Sequence, residues 1–201
     1  MNKPEDDSIR LLWKSFLKGD DKSFSLLYQV HINRLLSYGY KLCPNHEIVH
    51  DCIQEVFIDL FLKRENLTAD IRNLKAYLFV ALRNCVIKKM TKSRRHHMVE
   101  IKPDEEEFNF RVEYSFQDRL IEEEISNERI EILQSAIKEL PAKQKEIIYL
   151  KFEEEMDYNE IATIQNITVE SARKLLYRAL LSLRTKIDSD IFHTFFLIFF
   201  K

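Results

Sequence analysis

The sequence is poor in the residues that build turns between strands. Only two glycines, Gly19 and Gly39, and four prolines occur in 201 residues. Because tight hairpin turns draw heavily on glycine and proline, a sheet of many strands would lack its turn chemistry here. The shortage favours an all-α fold.

Cysteines and long apolar runs are scarce as well. Cys43, Cys52 and Cys85 are widely spaced with no C-x-x-C pair, which indicates neither a disulfide framework nor a zinc site. We interpret them as buried thiols in a reducing cytoplasm. The N-terminus lacks the apolar core of a secretion signal, and no apolar run approaches 18 residues, so we expect a soluble, cytoplasmic protein.

Sequence motifs of catalysis and of metal or phosphate binding are missing too. We find no phosphate-binding loop, no cluster of metal-ligating residues and no pairing of a nucleophile with a base. We therefore expect no enzyme activity, no cofactor, no metal site and no small-molecule substrate.

Net charge is nearly absent, at −2 with a pI near 6.3, but the charges are unevenly distributed. Between Asp70 and Glu100 every charged side chain is basic, whereas carboxylates dominate residues 104–131. The small total therefore hides a basic block, an acidic block and a basic C-terminal helix. A polyanion would meet the basic parts locally.

The clearest pattern runs from Tyr158 to Arg184. Its apolar residues recur at helical spacing and form one buried stripe: Val169, Ala172, Leu175, Leu176, Ala179, Leu180 and Leu183. The opposite face is mostly cationic: Glu170, Arg173, Lys174, Tyr177 and Arg178. A short helix over 160–165 and a corner capped by Thr168 precede it, as in a helix-turn-helix. An ordinary helical hairpin with a solvated basic face remains an equal alternative on periodicity alone.

Three helices are predicted near the N-terminus. Ser8 caps the first, which stops at Lys18, the second ends near Gly39, and Asn45 opens the third. The third carries two aliphatics, Ile58 and Leu62, on its otherwise polar side. Such a face is typical of a protein-binding surface, although a helix sandwiched between neighbours fits the pattern equally well.

A fourth helix, residues 73–91, is apolar on more than one side and ends in a run of lysines and arginines. Cations beside aromatics suit single-stranded nucleic acid, while a core helix with a cationic C-terminus is the alternative. We predict domains at 1–97 and 122–187, joined by a flexible acidic linker over 98–121. The phenylalanine-rich tail, 188–201, either docks on its own domain, which we favour, or offers a partner site.

These segments, in this order, resemble the bacterial RNA polymerase sigma factors, specifically the extracytoplasmic-function (ECF) subgroup of the sigma-70 family. KGDDKSFSLLYQVH, the D-x-x-Q-E-V-F segment DCIQEVF and LKAYLFVALRNCVIKKMTKSRR are similar to the family's domain two. ELPAKQKEIIYLKF and YNEIATIQNITVESARKLLYRALLSLR are similar to its domain four, which contains the helix-turn-helix. The pair Ser171-Ala172 stands where relatives usually carry Thr-Val, so promoter preference does not carry over.

The resemblance implies partners and roles. The partners are core RNA polymerase (the β′ clamp helices and the β subunit), promoter DNA and an anti-sigma factor. The residues implied to dock on the polymerase are Asp51, Gln54, Glu55, Ile58, Asp59 and Leu62. Those implied to capture the minus-ten element are Asn66, Arg72, Tyr77, Arg83, Asn84, Lys88 and Lys89. Those implied to meet the minus-thirty-five element are Thr168, Glu170, Ser171, Arg173, Lys174 and Arg178.

The resulting hypothesis is a promoter-recognition subunit that binds core polymerase, recruits it to promoters and helps to melt them. The main alternative is a stand-alone helix-turn-helix repressor or activator, which would form a dimer on palindromic half-sites. A helical interaction protein with merely solvated basic faces is the third possibility. The second alternative predicts tight duplex binding by the chain alone, whereas a sigma factor needs the polymerase.

Overall fold

The structure is a computed structural model that describes residues 4–67, 73–97, 110–111 and 127–199. Within these ranges the chain forms nine α-helices and no strand, which confirms the all-α prediction. The chain divides into two compact units, Met1–Lys102 and Pro103–Lys201. The boundaries predicted from the sequence, at 97, 121 and 187, stay predictions.

Four helices form in the residues of the first unit that the structure describes. They are α1 Pro4–Leu17, α2 Asp21–Leu42, α3 His46–Leu62 and α4 Leu74–His97, with a 3₁₀ turn over Arg64–Asn66. α2 is central, because it packs against each of the other three, and α3 also packs against α4. The core that they enclose is rich in large apolar side chains, among them Phe16, Leu27, Leu35, Tyr38, Leu60, Phe79 and Leu82.

Side-chain caps fix two of the helix starts. Asn45 opens α3 as predicted, with its Oδ1 accepting from the Ile48 amide at 3.2 Å. Asp20 opens α2 in the same way through the amides of Lys22 and Ser23. The predicted Ser8 cap is wrong, because α1 already begins at Pro4 and Ser8 lies inside it.

Two predicted helix ends are also wrong. α2 continues through Gly39 to Leu42. Glycine occupies position 39 for a steric reason, since a Cβ there would lie 2.5 Å from Val49 Cγ1. Gly39 therefore allows α2 and α3 to approach closely. α4 extends past the predicted end at Thr91 to His97, since no glycine or proline interrupts the basic run that follows.

His31 is a core histidine, as its place on the apolar stripe of α2 predicts. It is 4% exposed, and its Nε2 has no hydrogen-bond partner among the described residues. Burial lowers the pKa of His31 to about 4, and the nearby charges of Arg34 and Lys75 act in the same direction. The imidazole is therefore neutral in the folded protein at neutral pH.

Acid should destabilise the protein through this group. Between pH 6.5 and about 4 the unfolded chain binds a proton at His31 that the folded chain does not, so stability falls as pH drops through this window. We expect the urea midpoint of the first unit's unfolding to decrease over that range, and to decrease less in His31→Gln. An equal decrease in the variant would contradict the role of His31.

The described part of the second unit contains five helices. They are α5 Asn127–Lys138, α6 Ala142–Ile148, α7 Tyr158–Gln165, α8 Val169–Lys186 and α9 Ser189–Phe199, with a π-helical turn over Tyr149–Glu153 after α6. α6 and α7 both pack on α8, and α5 packs on α8 and α9. Pro141 immediately precedes α6, where its missing N–H costs nothing.

Buried polar groups hold α6 and α7 in register. Glu146 is fully buried and accepts from Gln165 Nε2 at 3.1 Å, while the same nitrogen donates to the Lys143 carbonyl at 3.3 Å. A buried carboxylate requires such a partner, so the contact fixes where α7 ends relative to α6. The short helix that precedes α8 is thus anchored to its own domain.

The apolar tail docks on its own unit, as we favoured. Phe195 is fully buried, with its ring 5.3 Å from that of Phe152, and Ile191 is buried as well. The predicted linker lies outside the described residues except at 110–111, where Phe110 is fully buried with its ring 5.7 Å from Tyr149. This residue of the predicted linker packs on its own unit, and the linker itself stays a prediction. None of the described helices has the length and hydropathy of a membrane span.

Candidate protein and nucleic-acid interfaces

The polar side of α3 forms one continuous exposed face. At 100° per residue its six predicted docking residues fall within about 140° of one another, and all six are exposed: Asp51, Gln54, Glu55, Ile58, Asp59 and Leu62. Ile58 is 56% exposed and Leu62 72%. No described helix covers them, so the sandwiched alternative is wrong, and we call this surface the α3 face.

The α3 face contacts α4 through a lysine. Lys89 Nζ lies 2.7 Å from Glu55 Oε1 and 3.5 Å from Asp51 Oδ2. The hydrogen bond from Lys89, with a smaller one from Cys85, holds the pKa of Glu55 below its usual value. A residue predicted to contact DNA is thus bonded to two residues predicted to contact protein. Sequence spacing gave no signal of this, because the contact joins two helices.

Two cysteines meet beneath the same contact. Cys85 Sγ lies 2.8 Å from Cys52 Sγ and 3.3 Å from Glu55 Oε2. The prediction of buried thiols is confirmed for Cys43 and Cys52, whereas Cys85 is only half-buried. Burial raises the pKa of both members of the pair, and hydrogen bonds to Cys52 and Glu55 raise that of Cys85 further.

This contact predicts a selective cross-link. Diamide, a diazene that takes up two hydrogens as two thiols join, should link Cys52 to Cys85 and leave Cys43 open to alkylation after unfolding. Since the thiolate reacts and both pKa values are raised, the reaction should be slow at neutral pH and faster in alkali. Peptide mass spectrometry measures the link, and Cys85→Ser should prevent it. A link to Cys43 would contradict the packing of α3 on α4.

The predicted minus-ten residues of α4 do not share one face. Tyr77, Asn84 and Lys88 lie within about 40° of one another around the helix, and Asn84 and Lys88 are exposed. Arg83 and Lys89 flank this face on opposite sides, with Lys89 on the side of α3. Asn66 is exposed in the 3₁₀ turn, and Arg72 lies outside the described residues. The exposed side of α4 is compatible with the nucleic-acid interpretation, and its buried side agrees with the core-helix alternative.

The helix-turn-helix forms as predicted. Asp157 and Glu160 make a capping box that opens α7, and Asn166 ends it in the left-handed conformation with φ 54°. Thr168 Oγ1 accepts from the Ser171 amide at 3.1 Å and opens α8. The corner between the helices is thus set by local side-chain chemistry.

The predicted minus-thirty-five residues are all exposed, at the start and along the outer face of α8. Two of them pair: Lys174 Nζ lies 2.6 Å from Glu170 Oε1. The Arg173 guanidinium lies 5.5 Å from the ring centre of Tyr158, and Lys151 Nζ lies 5.2 Å from the same ring. Sequence reasoning missed Tyr158 and Lys151, since the π-helical turn and α7 bring them to this face.

Comparisons with known proteins agree with this geometry. Residues 27–96 match the model of Sigma-70 region 2, and residues 130–183 match that of Sigma-70, region 4. The ECF RNA polymerase sigma factor SigW of Bacillus subtilis is 23% identical over 176 residues, 87% of this chain and 94% of SigW. SigM of the same species is 24% identical over 153 residues, 76% of this chain and 88% of SigM.

Solved structures share the fold. The sigma factor RpoE of Bartonella quintana, crystallised with the anti-sigma factor NepR, superposes with a TM-score of 0.56 at 21% identity, over 84% of this chain and 99% of RpoE. CnrH, solved with the cytosolic domain of CnrY, gives 0.55 at 18% identity, over 90% of this chain and 97% of CnrH.

Two helical units, one with the α3 face and a basic helix and one with a helix-turn-helix, define a promoter-recognition factor of the two-domain type. Both sigma-70 regions match in the expected order. The chain belongs to the sigma-70 family, as an ECF sigma factor, and its function is to direct transcription initiation. Sigma factors are not themselves catalytic.

Proposed function

We propose that the α3 face docks on core RNA polymerase, at the clamp helices of the β′ subunit. The single observation that carries this proposal is the exposure of Ile58 and Leu62 among carboxylates on a helix that matches region 2. Aliphatic groups supply affinity when they are buried by a partner, and the carboxylates around them select a cationic surface.

α4 and the turn before it face the melted minus-ten strand. The exposed Asn84 and Lys88 beside Tyr77 combine a cation, an amide and an aromatic ring on one surface. Extruding bases from the stack costs a few kcal/mol, which stacking and phosphate contacts must offset. Asn66 and Arg72 complete this set in the proposal.

α8 enters the major groove of the minus-thirty-five element. Its first turn exposes Glu170, Ser171 and Arg173, which would meet base edges, and the exposed Lys174 and Arg178 would contact phosphates. Thr168 contributes by opening the helix, because its hydroxyl is used in the cap.

An anti-sigma factor is the other proposed partner. RpoE, which shares the fold, was crystallised with the anti-sigma factor NepR, and CnrH was solved with the cytosolic domain of CnrY. A partner that covered the α3 face would exclude the polymerase from the same aliphatic groups. Since transcription takes place in the cytoplasm, we place the chain there.

The decisive experiment combines purified core polymerase with this protein. A pull-down should show a stable complex, and run-off transcription from the chain's own upstream region should give a discrete transcript that neither component makes alone. Failure to bind core, together with tight salt-dependent duplex binding by the chain alone, would replace the sigma role with a stand-alone regulator.

A further inference from the structure

We propose that the carboxylates of the α3 face hold Lys89 away from DNA in the free chain, and that docking on the polymerase releases it to the promoter. The inference rests on the proposed function and adds a coupling between its two binding surfaces. Lys89 would then be a shared residue, bound to protein in one state and to a phosphate in the other.

Its geometry supports the held state. Lys89 bonds to Glu55 at 2.7 Å and reaches Asp51 at 3.5 Å, so one ammonium faces two carboxylates across the α3–α4 junction. Its side chain is 27% exposed, whereas the carboxylates are 59% and 66% exposed. Lys88, one residue earlier on α4, is exposed on the face that carries Asn84.

Charge accounts for the release. The α3 face exposes Asp51, Glu55 and Asp59, and Asp59 already pairs with Lys63 at 2.7 Å, so cations of a docked partner would match Asp51 and Glu55. Those cations compete with Lys89 for the same carboxylate oxygens. Because an ion pair this exposed to solvent is weak, the cations of a docked surface would displace Lys89 from the carboxylates.

Competition has a functional consequence. A lysine that is paired with two carboxylates makes no phosphate contact of its own while those carboxylates hold it. Once the polymerase covers them, one further cation becomes available beside Lys88. The chain would therefore bind single strands weakly until the polymerase is present.

The test measures binding of the full chain to a fluorescein-labelled oligothymidylate of about 12 nucleotides, within the usual site size, by anisotropy across a salt series. Each phosphate contact adds about 0.7 to the salt slope on a single strand. The variants are Lys89→Gln, the matched control Lys88→Gln, Asp51→Asn/Glu55→Gln, and that double variant with Lys89→Gln.

In the original background, Lys88→Gln should reduce the slope by about 0.7 and Lys89→Gln should change it little. Asp51→Asn/Glu55→Gln should increase the slope by about the same step, and Lys89→Gln in that background should remove the increase. Circular dichroism should show unchanged helicity throughout.

Three results would overturn the inference: equal effects of Lys89→Gln and Lys88→Gln in the original background, no increase in the double variant, or no binding by any variant. None of these concerns docking itself. The core pull-down of the unmodified chain decides the proposed function separately, so a chain that binds core but shows no dependence on Lys89 would refute only the coupling.

Discussion

Ile58→Glu is expected to abolish binding to core RNA polymerase. Ile58 lies at the middle of the α3 face and is 56% exposed, so the substitution should leave the core of the unit intact. In the complex, however, a new carboxylate would be buried without a partner. Such burial costs several kcal/mol, which corresponds to roughly a 100-fold or greater loss of affinity.

The control uses an equally exposed aliphatic of the same unit. Leu11 on α1 is 67% exposed and lies outside the α3 face, so Leu11→Glu should bind core normally. Equilibrium binding to immobilised core measures both variants, and thermal unfolding followed by circular dichroism checks their folding. If Ile58→Glu bound core with normal helicity, the α3 face would not be the docking surface.

The features that the sequence predicted well are set by one helix at a time. The buried stripe of α8, its cap at Thr168 and the exposure of Ile58 all follow from periodicity and local hydrogen bonds. Each depends on residues within one or two turns of each other. The resemblance then assigned partners to faces that the periodicity had already separated.

The features that it missed are set by two helices together. Gly39 was interpreted as a helix end because glycine often ends helices, yet the close approach of Val49 requires it. Cys52 and Cys85 are in contact although they lie 33 residues apart in the sequence. Phe110 is buried inside a stretch whose composition is acidic. Neither composition nor periodicity reports which helices cross.

Lys89 shows how this difference changes a functional interpretation. The resemblance placed it with Lys88 as a minus-ten contact, and the two are neighbours in sequence. They nevertheless point about 100° apart, and only Lys89 reaches the carboxylates of α3. The motif therefore assigns one role to Lys88 and Lys89, whereas the packing of α3 on α4 gives them different surroundings.

Arg173→Ala is expected to weaken use of the promoter by about 1 to 3 kcal/mol, if the side chain pairs bidentately with a guanine. Arg173 is exposed in the first turns of α8, and its guanidinium lies 5.5 Å from the ring centre of Tyr158. The ring restricts the side chain without covering it, which lowers the entropy lost when it meets a base. Run-off transcription with the reconstituted holoenzyme measures the loss.

Promoter variants distinguish a base contact from a phosphate contact. If Arg173 contacts a base, the difference in promoter use between the original chain and Arg173→Ala should disappear when the contacted base pair of the minus-thirty-five element is changed. The original arginine has then lost its partner as well. A loss of similar size at every variant would instead identify a phosphate contact. Lys174→Ala is the matched control: Lys174 pairs with Glu170 and is proposed to contact a phosphate, so its loss should be smaller and independent of the promoter sequence.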